Sequence, residues 1–174
     1  MITDVHTHNP DADEAIISVE PHEFDPRPGK FYSVGIHPWS ERHEPADVEL
    51  LERLAGHEQV VAIGECGIDL VRAALPPEEQ YELLRLHASI AERWKKTLVV
   101  HMVRSAHLIM RLLREMRPGQ TWIIHGFRGG PELARQLLRF PNVNLSFGSR
   151  YNAEAFLATP PSRRLHESDT DFSH

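Results

Sequence analysis

Short apolar runs rich in β-branched residues recur along the chain, and most of them end in a polar or charged residue. Such runs are typical of strands in a parallel sheet that is buried on both faces. Turn-forming and polar segments separate them, which sets the limits of each strand. Eight strands are predicted, at residues 2–8, 15–20, 32–38, 60–69, 98–103, 121–126, 142–148 and 164–169.

Four segments between the later strands carry apolar residues at i, i+3 and i+4 spacing, which predicts amphipathic helices. Their apolar stripes are Val48, Leu51, Leu54 and Ala55; Tyr81, Leu84, Ala88, Ala91 and Trp94; Ile109, Leu112, Leu113 and Met116; and Leu133, Ala134, Leu137 and Leu138. Pro131 suits the first position of the fourth helix. Eight strands joined by helical crossovers predict an α/β fold, a TIM-type (β/α)8 barrel.

This barrel is expected to be trimmed, because 174 residues fall short of the roughly 200–250 that the fold usually takes. Residues 9–14 and 21–31 show no helical stripe, and the chain ends five residues after the eighth predicted strand. Outer helices one, two and eight are therefore expected to be absent. These positions are neighbours on the ring, so we expect an uncovered arc of barrel wall, against which a second copy or another partner packs.

Composition fits one globular domain spanning residues 1–174, with 41% apolar and 25% charged residues and a mean hydropathy of −0.38. No apolar run approaches the roughly 18 residues that span a bilayer, so no membrane association is expected. A single cysteine excludes an internal disulfide, and the first residues do not resemble a signal peptide, so a cytoplasmic location is predicted. A net charge of −6 argues against a broad basic face for duplex DNA.

Histidine is frequent, at 12 residues, and it is the commonest metal ligand. His6 and His8 stand two positions apart near the end of the first strand, which predicts that they point the same way. A His-x-His pair alone is a weak signal. Four further ligand types come at the ends of other predicted strands, and these are Glu65, His101, His125 and Asp169.

The carboxyl ends of the strands meet at one mouth of such a barrel, where its active sites lie. The six residues predict a site for two divalent ions, with Glu65 as the bridging ligand. Zinc, manganese and magnesium all suit these ligand types. Asp169 is the candidate to accept the proton of the attacking water, which makes Asp169 and Glu65 the candidate catalytic residues. Asp4 and Glu167 are interpreted as groups that orient the imidazoles.

Four arginines follow the ends of strands four to seven and should surround the same mouth: Arg72, Arg104, Arg128 and Arg150. Guanidinium groups bind phosphate in a bidentate manner, so the arginines favour an anionic substrate. His37 and Asp69 each have two interpretations, binding the substrate or capping a turn. The remaining histidines on loops and helices, among them His87, are interpreted as having no part in the site.

The segments DVHTH, VGIHP, AIGECGID, VVHMVRS, IIHGFRGG, LSFG and ESD resemble, in this order, the TatD-like metal-dependent hydrolases of the amidohydrolase superfamily. The resemblance spans nearly the whole chain. It implies a TIM-type barrel with divalent metals and a phosphodiester hydrolase, often a 3′-to-5′ exonuclease on single-stranded DNA or RNA. By motif position it also implies that the family's metal ligands are His6, His8, Glu65, His101, His125 and Asp169, with Asp169 as general base.

Two departures from the family pattern indicate a short bacterial branch. Arg104 stands one residue later after the histidine than in the commoner His-Ser-Arg form, and His-Gly-Phe-Arg-Gly replaces the more usual His-Ser-Phe-Ser-Gly.

Three functions are compatible with these observations. The first is a two-metal phosphodiesterase, such as a deoxyribonuclease, acting on single-stranded nucleic-acid ends or on a small phosphate ester. The second is a hydrolase of amides or lactones, which the arginines disfavour. The third is a non-catalytic metal-binding interaction protein. Aromatic residues make up only 7% of the chain, so surfaces for base stacking are few. Phe127 and Tyr151 are the best candidates for such a surface.

Overall fold

The computed structural model describes residues 1–169, which form a nearly closed barrel of eight parallel strands in sequence order. The strands are β1 (Asp4–Thr7), β2 (Ala15–Val19), β3 (Phe31–Val34), β4 (Val60–Asp69), β5 (Thr97–Val103), β6 (Trp122–Ile124), β7 (Val143–Phe147) and β8 (Arg164–His166). After β8 the chain turns back to β1, because the Asp169 backbone N–H donates to the His6 carbonyl at 3.1 Å. The predicted TIM-type fold is confirmed.

Helices follow the third to seventh strands and pack on the outside of the barrel. They are α1 (Pro45–Leu54), α2 (Pro77–Trp94), α3 (Ala106–Met116), α4 (Pro131–Leu138) and α5 (Ala153–Ala158). The four predicted stripes lie on α1 to α4, and Pro131 is the first residue of α4. The short α5 was not predicted, because six residues are too few to show a helical period. Within residues 1–169, no helix is both long and apolar enough to cross a membrane.

The predicted trimming is confirmed for the first two crossovers. β1 and β2 are joined without a helix, and β2 and β3 are joined by a segment whose regular part is a 3₁₀ turn, Pro21–Glu23. The predicted absence of helix eight concerns a segment that extends beyond the described residues. The barrel forms with these shorter connections, since neighbouring strands are hydrogen-bonded from β1 to β8.

The expected uncovered wall is wrong at β2, where Ile16 is 8% exposed and Ile17 is 1% exposed. The irregular segments lie against each other and take the place of helices. The ammonium group of Lys30 donates to the carbonyls of Asp11 at 3.0 Å and Ala12 at 2.8 Å, which fastens the two shortened connections together. The homodimer stays a prediction. The exposed apolar wall on which it was based is not present at β2.

Irregular pairing redirects two of the strands that carry candidate ligands. Along β4, Ile63 pairs with Leu98 and Cys66 pairs with Val100, so β4 holds one residue more than β5. Such a bulge re-aims a side chain, and here the bulged stretch contains Glu65. Gly64 permits the close approach, because a Cβ there would lie 2.4 Å from the Val99 carbonyl oxygen. The pairing of β1 with β2 shifts in the same way around His6.

Candidate active site

The carboxylate of Glu65 is the centre of a cluster of histidines, and it is almost fully buried, at 4% exposure. Its Oε1 lies 2.8 Å from His125 Nε2 and 2.9 Å from His101 Nδ1. A third imidazole, His37, places its Nε2 3.0 Å from the same oxygen. One carboxylate oxygen thus meets side chains from the ends of three other strands.

The second oxygen of Glu65 faces β1 and the end of β8. Glu65 Oε2 lies 3.2 Å from His6 Nε2 and 3.5 Å from His8 Nε2. Asp169 Oδ1 completes this side, at 3.5 Å from His6 Nε2 and 4.0 Å from His8 Nε2. His6 and His8 therefore converge as their spacing predicts, and their ring centroids are 5.0 Å apart.

Four overlapping groups of these residues have ligand atoms within 4.8 Å of one another: His6, Glu65 and His125; His6, His8 and Asp169; His37, Glu65 and His101; and His125, Glu167 and Asp169. We call them together the Glu65 cluster. It contains all six residues that the sequence predicts as metal ligands. Several come just after their strands, since β1 ends at Thr7, β6 at Ile124 and β8 at His166.

Polar atoms in the Glu65 cluster are buried without hydrogen-bond partners. They include both ring nitrogens of His6, Nδ1 of His125 and Oε1 of Glu167. A buried polar atom without a partner costs about 1–3 kcal/mol, so such atoms need an explanation. Imidazole nitrogens and carboxylate oxygens that converge at these distances suit a divalent transition metal, which would satisfy one ring nitrogen of each imidazole that it binds. The residues present therefore fit the metal that the sequence predicts.

The imidazoles and carboxylates of the Glu65 cluster shift one another's pKa values. Burial alone would raise the pKa of Glu65, but the neighbouring imidazoles of His125 and His6 hold it well below its ordinary value. Burial lowers the pKa of His125, yet the carboxylates of Glu65 and Glu167 outweigh this effect and raise it well above 6.5. The metal-free cluster is thus stabilised by imidazolium–carboxylate attraction, and a divalent ion can supply the same positive charge.

Asp69, at the end of β4, lies beside the Glu65 cluster, and its side chain is buried. Its Oδ2 is 3.0 Å from His101 Nε2, and its Oδ1 accepts hydrogen bonds from the backbone N–H groups of Val71 at 2.8 Å and Arg72 at 2.9 Å. Burial opposes ionisation, but these donors and the Trp39 indole lower the pKa of Asp69 to about 2. Asp69 thus caps a turn and faces an imidazole, and because it also lines the cavity its role in binding substrate stays a prediction.

Two acidic residues were interpreted as orienting imidazoles, and one of them faces an imidazole. Glu167 is buried, lies 3.5 Å from His125 Nδ1 and accepts a hydrogen bond from Ser146. Asp4 instead accepts from the backbone N–H of His6 at 3.1 Å and from the Ser168 hydroxyl at 2.6 Å. That interpretation was wrong for Asp4, which fastens the first strand to the chain after the last one.

A cavity of about 1540 Å³ opens over the Glu65 cluster at the carboxyl ends of the strands. Its lining includes Glu65, His101, His125 and Asp169, together with all four predicted arginines, Arg72, Arg104, Arg128 and Arg150. All four arginines are exposed. An acidic protein thus places four of its cations around one opening, whose lining also contains the carboxylates of Glu20, Glu23, Glu65, Asp69 and Asp169.

Three residues near the site escaped the sequence analysis. His87 is buried on α2, where its Nε2 accepts the backbone N–H of Ile36 at 2.9 Å. It was interpreted as unimportant, although it lies on the apolar face of α2 with Leu84 and Ala88, and this position was the signal for a buried role. Gln80, also buried on α2, accepts the Asp69 backbone N–H at 2.8 Å through Oε1. No pattern in the sequence indicated this contact.

The third residue is Trp39, which is 46% exposed and lines the cavity. The two aromatic residues predicted for this position are less suitable. Phe127 is only 2% exposed and belongs to the core, and Tyr151 does not line the cavity. The signal that could have identified Trp39 is its place directly after the His37–Pro38 pair.

Comparison with known proteins finds relatives that are named as metal-dependent hydrolases. A family model described as TatD related DNase matches residues 23–173. The chain is 33% identical over 148 residues to the uncharacterised metal-dependent hydrolase YcfH of Escherichia coli K12, covering 81% of this chain and 56% of that protein. It is 29% identical over 134 residues to the uncharacterised metal-dependent hydrolase YabD of Bacillus subtilis, covering 72% and 52%. The chain thus spans about half the length of these curated relatives.

Solved structures show the same fold. The crystal structure of the TatD homologue YJJV from Escherichia coli K12 superimposes with a TM-score of 0.85 at 21% identity, over 97% of this chain and 80% of that one. A TatD family hydrolase from Entamoeba histolytica gives a TM-score of 0.64 at 23% identity, over 80% and 50% of the two chains. These neighbours support the barrel and do not by themselves indicate a substrate.

Proposed function

Because this chain belongs to the TatD-related DNase family, whose curated relatives are named as metal-dependent hydrolases, we propose that it is a divalent-metal-dependent phosphodiesterase. Its substrate is the end of a single-stranded nucleic acid or a small phosphate ester. The observation that carries the proposal is the Glu65 cluster beneath a mouth that four arginines line. A cytoplasmic location stays a prediction.

The Glu65 cluster divides naturally into two ligand sets that share Glu65. One set contains His6, His8 and Asp169, and the other contains His101 and His125. Two divalent ions held there would supply Lewis-acid activation of water and stabilisation of the phosphoryl charge. The ligand types leave zinc, manganese and magnesium open.

Hydrogen bonds determine which nitrogen of each imidazole is free to act. Nδ1 of His37 accepts the backbone N–H of Trp39 at 3.0 Å, so neutral His37 carries its proton on Nε2. His37 is then a donor to Glu65 or to an anionic substrate oxygen, and not a metal ligand. Nε2 of His101 faces Asp69 and donates to it, which leaves Nδ1 of His101 as its ligand atom.

The remaining roles follow from charge and exposure. Asp169 is 23% exposed at its side chain and lines the cavity, so it is placed to accept the proton of an attacking water. The carboxylate of Asp169 has a pKa below its ordinary value, chiefly because His6 Nε2 lies 3.5 Å from it, so it is ionised and available as a base at neutral pH. The arginines around the cavity bind the phosphate through their guanidinium groups.

The test is cleavage of an end-labelled single-stranded oligonucleotide by the metal-loaded protein, in magnesium, manganese and zinc. We expect stepwise shortening that Glu65→Gln abolishes. Glu132→Gln is the matched control, because Glu132 is an exposed carboxylate at the start of α4 and should leave cleavage unchanged.

Two outcomes would refute the proposal. If a protein with measured bound metal cleaves neither the oligonucleotide nor a small phosphodiester but hydrolyses a cyclic amide or a lactone, the alternative hydrolase is correct. Tight metal binding with no hydrolysis of any of these compounds would favour the non-catalytic metal-binding protein.

A further inference from the structure

We propose that Trp39, Val71 and Arg72 form a subsite for a flat aromatic group, such as a nucleobase, next to the Glu65 cluster. This inference rests on the proposed function and deepens it, because it names what the substrate carries besides its phosphate. We call these three residues the Trp39 subsite.

One buried carboxylate holds the whole Trp39 subsite. Asp69 Oδ2 accepts a hydrogen bond from the indole Nε1–H of Trp39 at 2.8 Å. Asp69 Oδ1 accepts the backbone N–H groups of Val71 at 2.8 Å and Arg72 at 2.9 Å. Residues from two separate connections are thus fixed to one point, so the subsite is preorganised and pays little ordering entropy when a ligand binds.

The subsite exposes apolar surface to the cavity. Trp39 is 46% exposed and Val71 is 59% exposed, and both line the cavity together with Arg72. An indole that is both exposed and hydrogen-bonded in place provides a rigid face for stacking. The Arg72 guanidinium carbon lies over the Trp39 ring, 5.2 Å from its centroid, so one face of the indole carries a cation and a base would stack on the other face. Among residues 1–169, Trp39 is the aromatic residue that is both exposed and part of the cavity lining.

Position links the subsite to the reacting groups. The Trp39 ring centroid is 4.7 Å from that of His37 and 5.6 Å from that of His101, and both imidazoles contact Glu65. An aromatic group stacked on Trp39 would therefore lie beside the Glu65 cluster, with its phosphate within reach of that cluster. Nucleic-acid ends and nucleotides combine a base and a phosphate in this way, whereas simple sugar phosphates lack the base.

The experiment measures binding, not turnover, by calorimetry on the metal-loaded protein. The probes are deoxyadenosine 5′-monophosphate, deoxyribose 5-phosphate and inorganic phosphate. Because stacking on an aromatic side chain contributes about 1–3 kcal/mol per base, Trp39→Ala should weaken nucleotide binding about tenfold or more. Binding of the sugar phosphate and of phosphate should change less than about twofold, since neither carries a base.

Trp94 provides a matched control. It is 43% exposed, and its indole Nε1–H donates to Glu52 Oε1 at 3.3 Å, but it lies on α2 away from the cavity lining. Trp94→Ala should leave all three affinities unchanged. Fluorescence gives a measurement that does not depend on the stability of the Trp39 variant: in Trp94→Phe the nucleotide should still quench emission, because the other remaining tryptophan, Trp122, is buried.

The outcomes separate this inference from the proposed function. Equal affinity for the nucleotide and the sugar phosphate, or an equal loss for both in Trp39→Ala, overturns the subsite even if phosphodiesters are cleaved. Base-dependent binding that Trp39→Ala removes supports the subsite even if no phosphodiester is cleaved, and the phosphodiesterase proposal then fails alone.

Discussion

His87 links the stability of the fold to the position of the site, and replacing it should produce a defined change with pH. The imidazole is fully buried on α2. Its Nε2 accepts the backbone N–H of Ile36 at 2.9 Å, and its Nδ1–H donates to the Leu83 carbonyl at 2.7 Å. The bond that Nε2 accepts needs the neutral ring, and burial lowers the pKa of His87 from 6.5 to about 4, although the Leu83 carbonyl favours the protonated form.

The size of the effect follows from this pKa. The unfolded chain binds a proton at His87 near pH 6.5, whereas the folded protein resists protonation until about pH 4. The contribution of His87 to stability is therefore complete above pH 6.5 and is lost as the pH falls toward 4. The full difference corresponds to about 3 kcal/mol, and about 2 kcal/mol of it is lost between roughly pH 7 and pH 5.

Urea unfolding at pH 7 and pH 5 tests this value with three proteins: the unchanged chain, His87→Gln and His107→Gln. Glutamine does not titrate, so the free energy by which the unchanged chain exceeds His87→Gln should shrink by about 2 kcal/mol at the lower pH. His107 is exposed on α3, and its replacement should leave the pH dependence as it is in the unchanged chain. If the difference between the unchanged chain and His87→Gln is the same at both pH values, buried neutral His87 is not the cause.

Three further predictions concern the Glu65 cluster and the residues that support it. Because carboxylates raise the pKa of His125 in the metal-free protein, metal must displace its proton. Calorimetry should therefore show tighter metal binding as the pH rises from about 6 to 8, and a flat profile would contradict this. Glu167→Gln should weaken metal binding about 10- to 100-fold in a chelator competition, because Glu167 faces His125. Gln80→Leu leaves the Asp69 backbone N–H and the Leu75 carbonyl without partners and should cost about 2 kcal/mol in urea unfolding.

The barrel and the residues of the Glu65 cluster were predictable because each rests on a local pattern. A strand buried on both faces leaves an unbroken apolar run, and the candidate ligands Glu65 and His101 interrupt that run within β4 and β5. Parallel strands bring such positions together whatever the crossovers contain. Even the shortened crossovers could be identified, since residues 9–14 and 21–31 lack a helical period.

Other features depended on contacts that no local pattern reveals. The wall at β2 was expected to be bare, but hydrogen bonds between the irregular segments, such as Lys30 to Ala12, cover it. The bulge that directs Glu65 inward depends on how β4 meets its neighbours. Trp39 and Asp69 are 30 residues apart, and their hydrogen bond appears only once β3 and β4 lie side by side. Polar contacts of this kind, between residues far apart in the chain, hold the side chains that surround the site in place, and sequence spacing does not reveal them.

Helix α2 keeps part of the surroundings of the site in place. Gln80 and His87 are seven residues apart, about two helical turns, so both lie on the face of α2 that packs against the barrel. Gln80 holds the end of β4 through the backbone of Asp69, and His87 holds the chain after β3 through Ile36, next to His37. Both polar side chains are buried and bonded to backbone, so α2 fixes two strand ends relative to each other. The relative position of His37 and Asp69, the residues that contact Glu65 and Trp39, respectively, is therefore fixed by a helix on the outside of the barrel. The site depends on this helix although no residue of α2 lines the cavity.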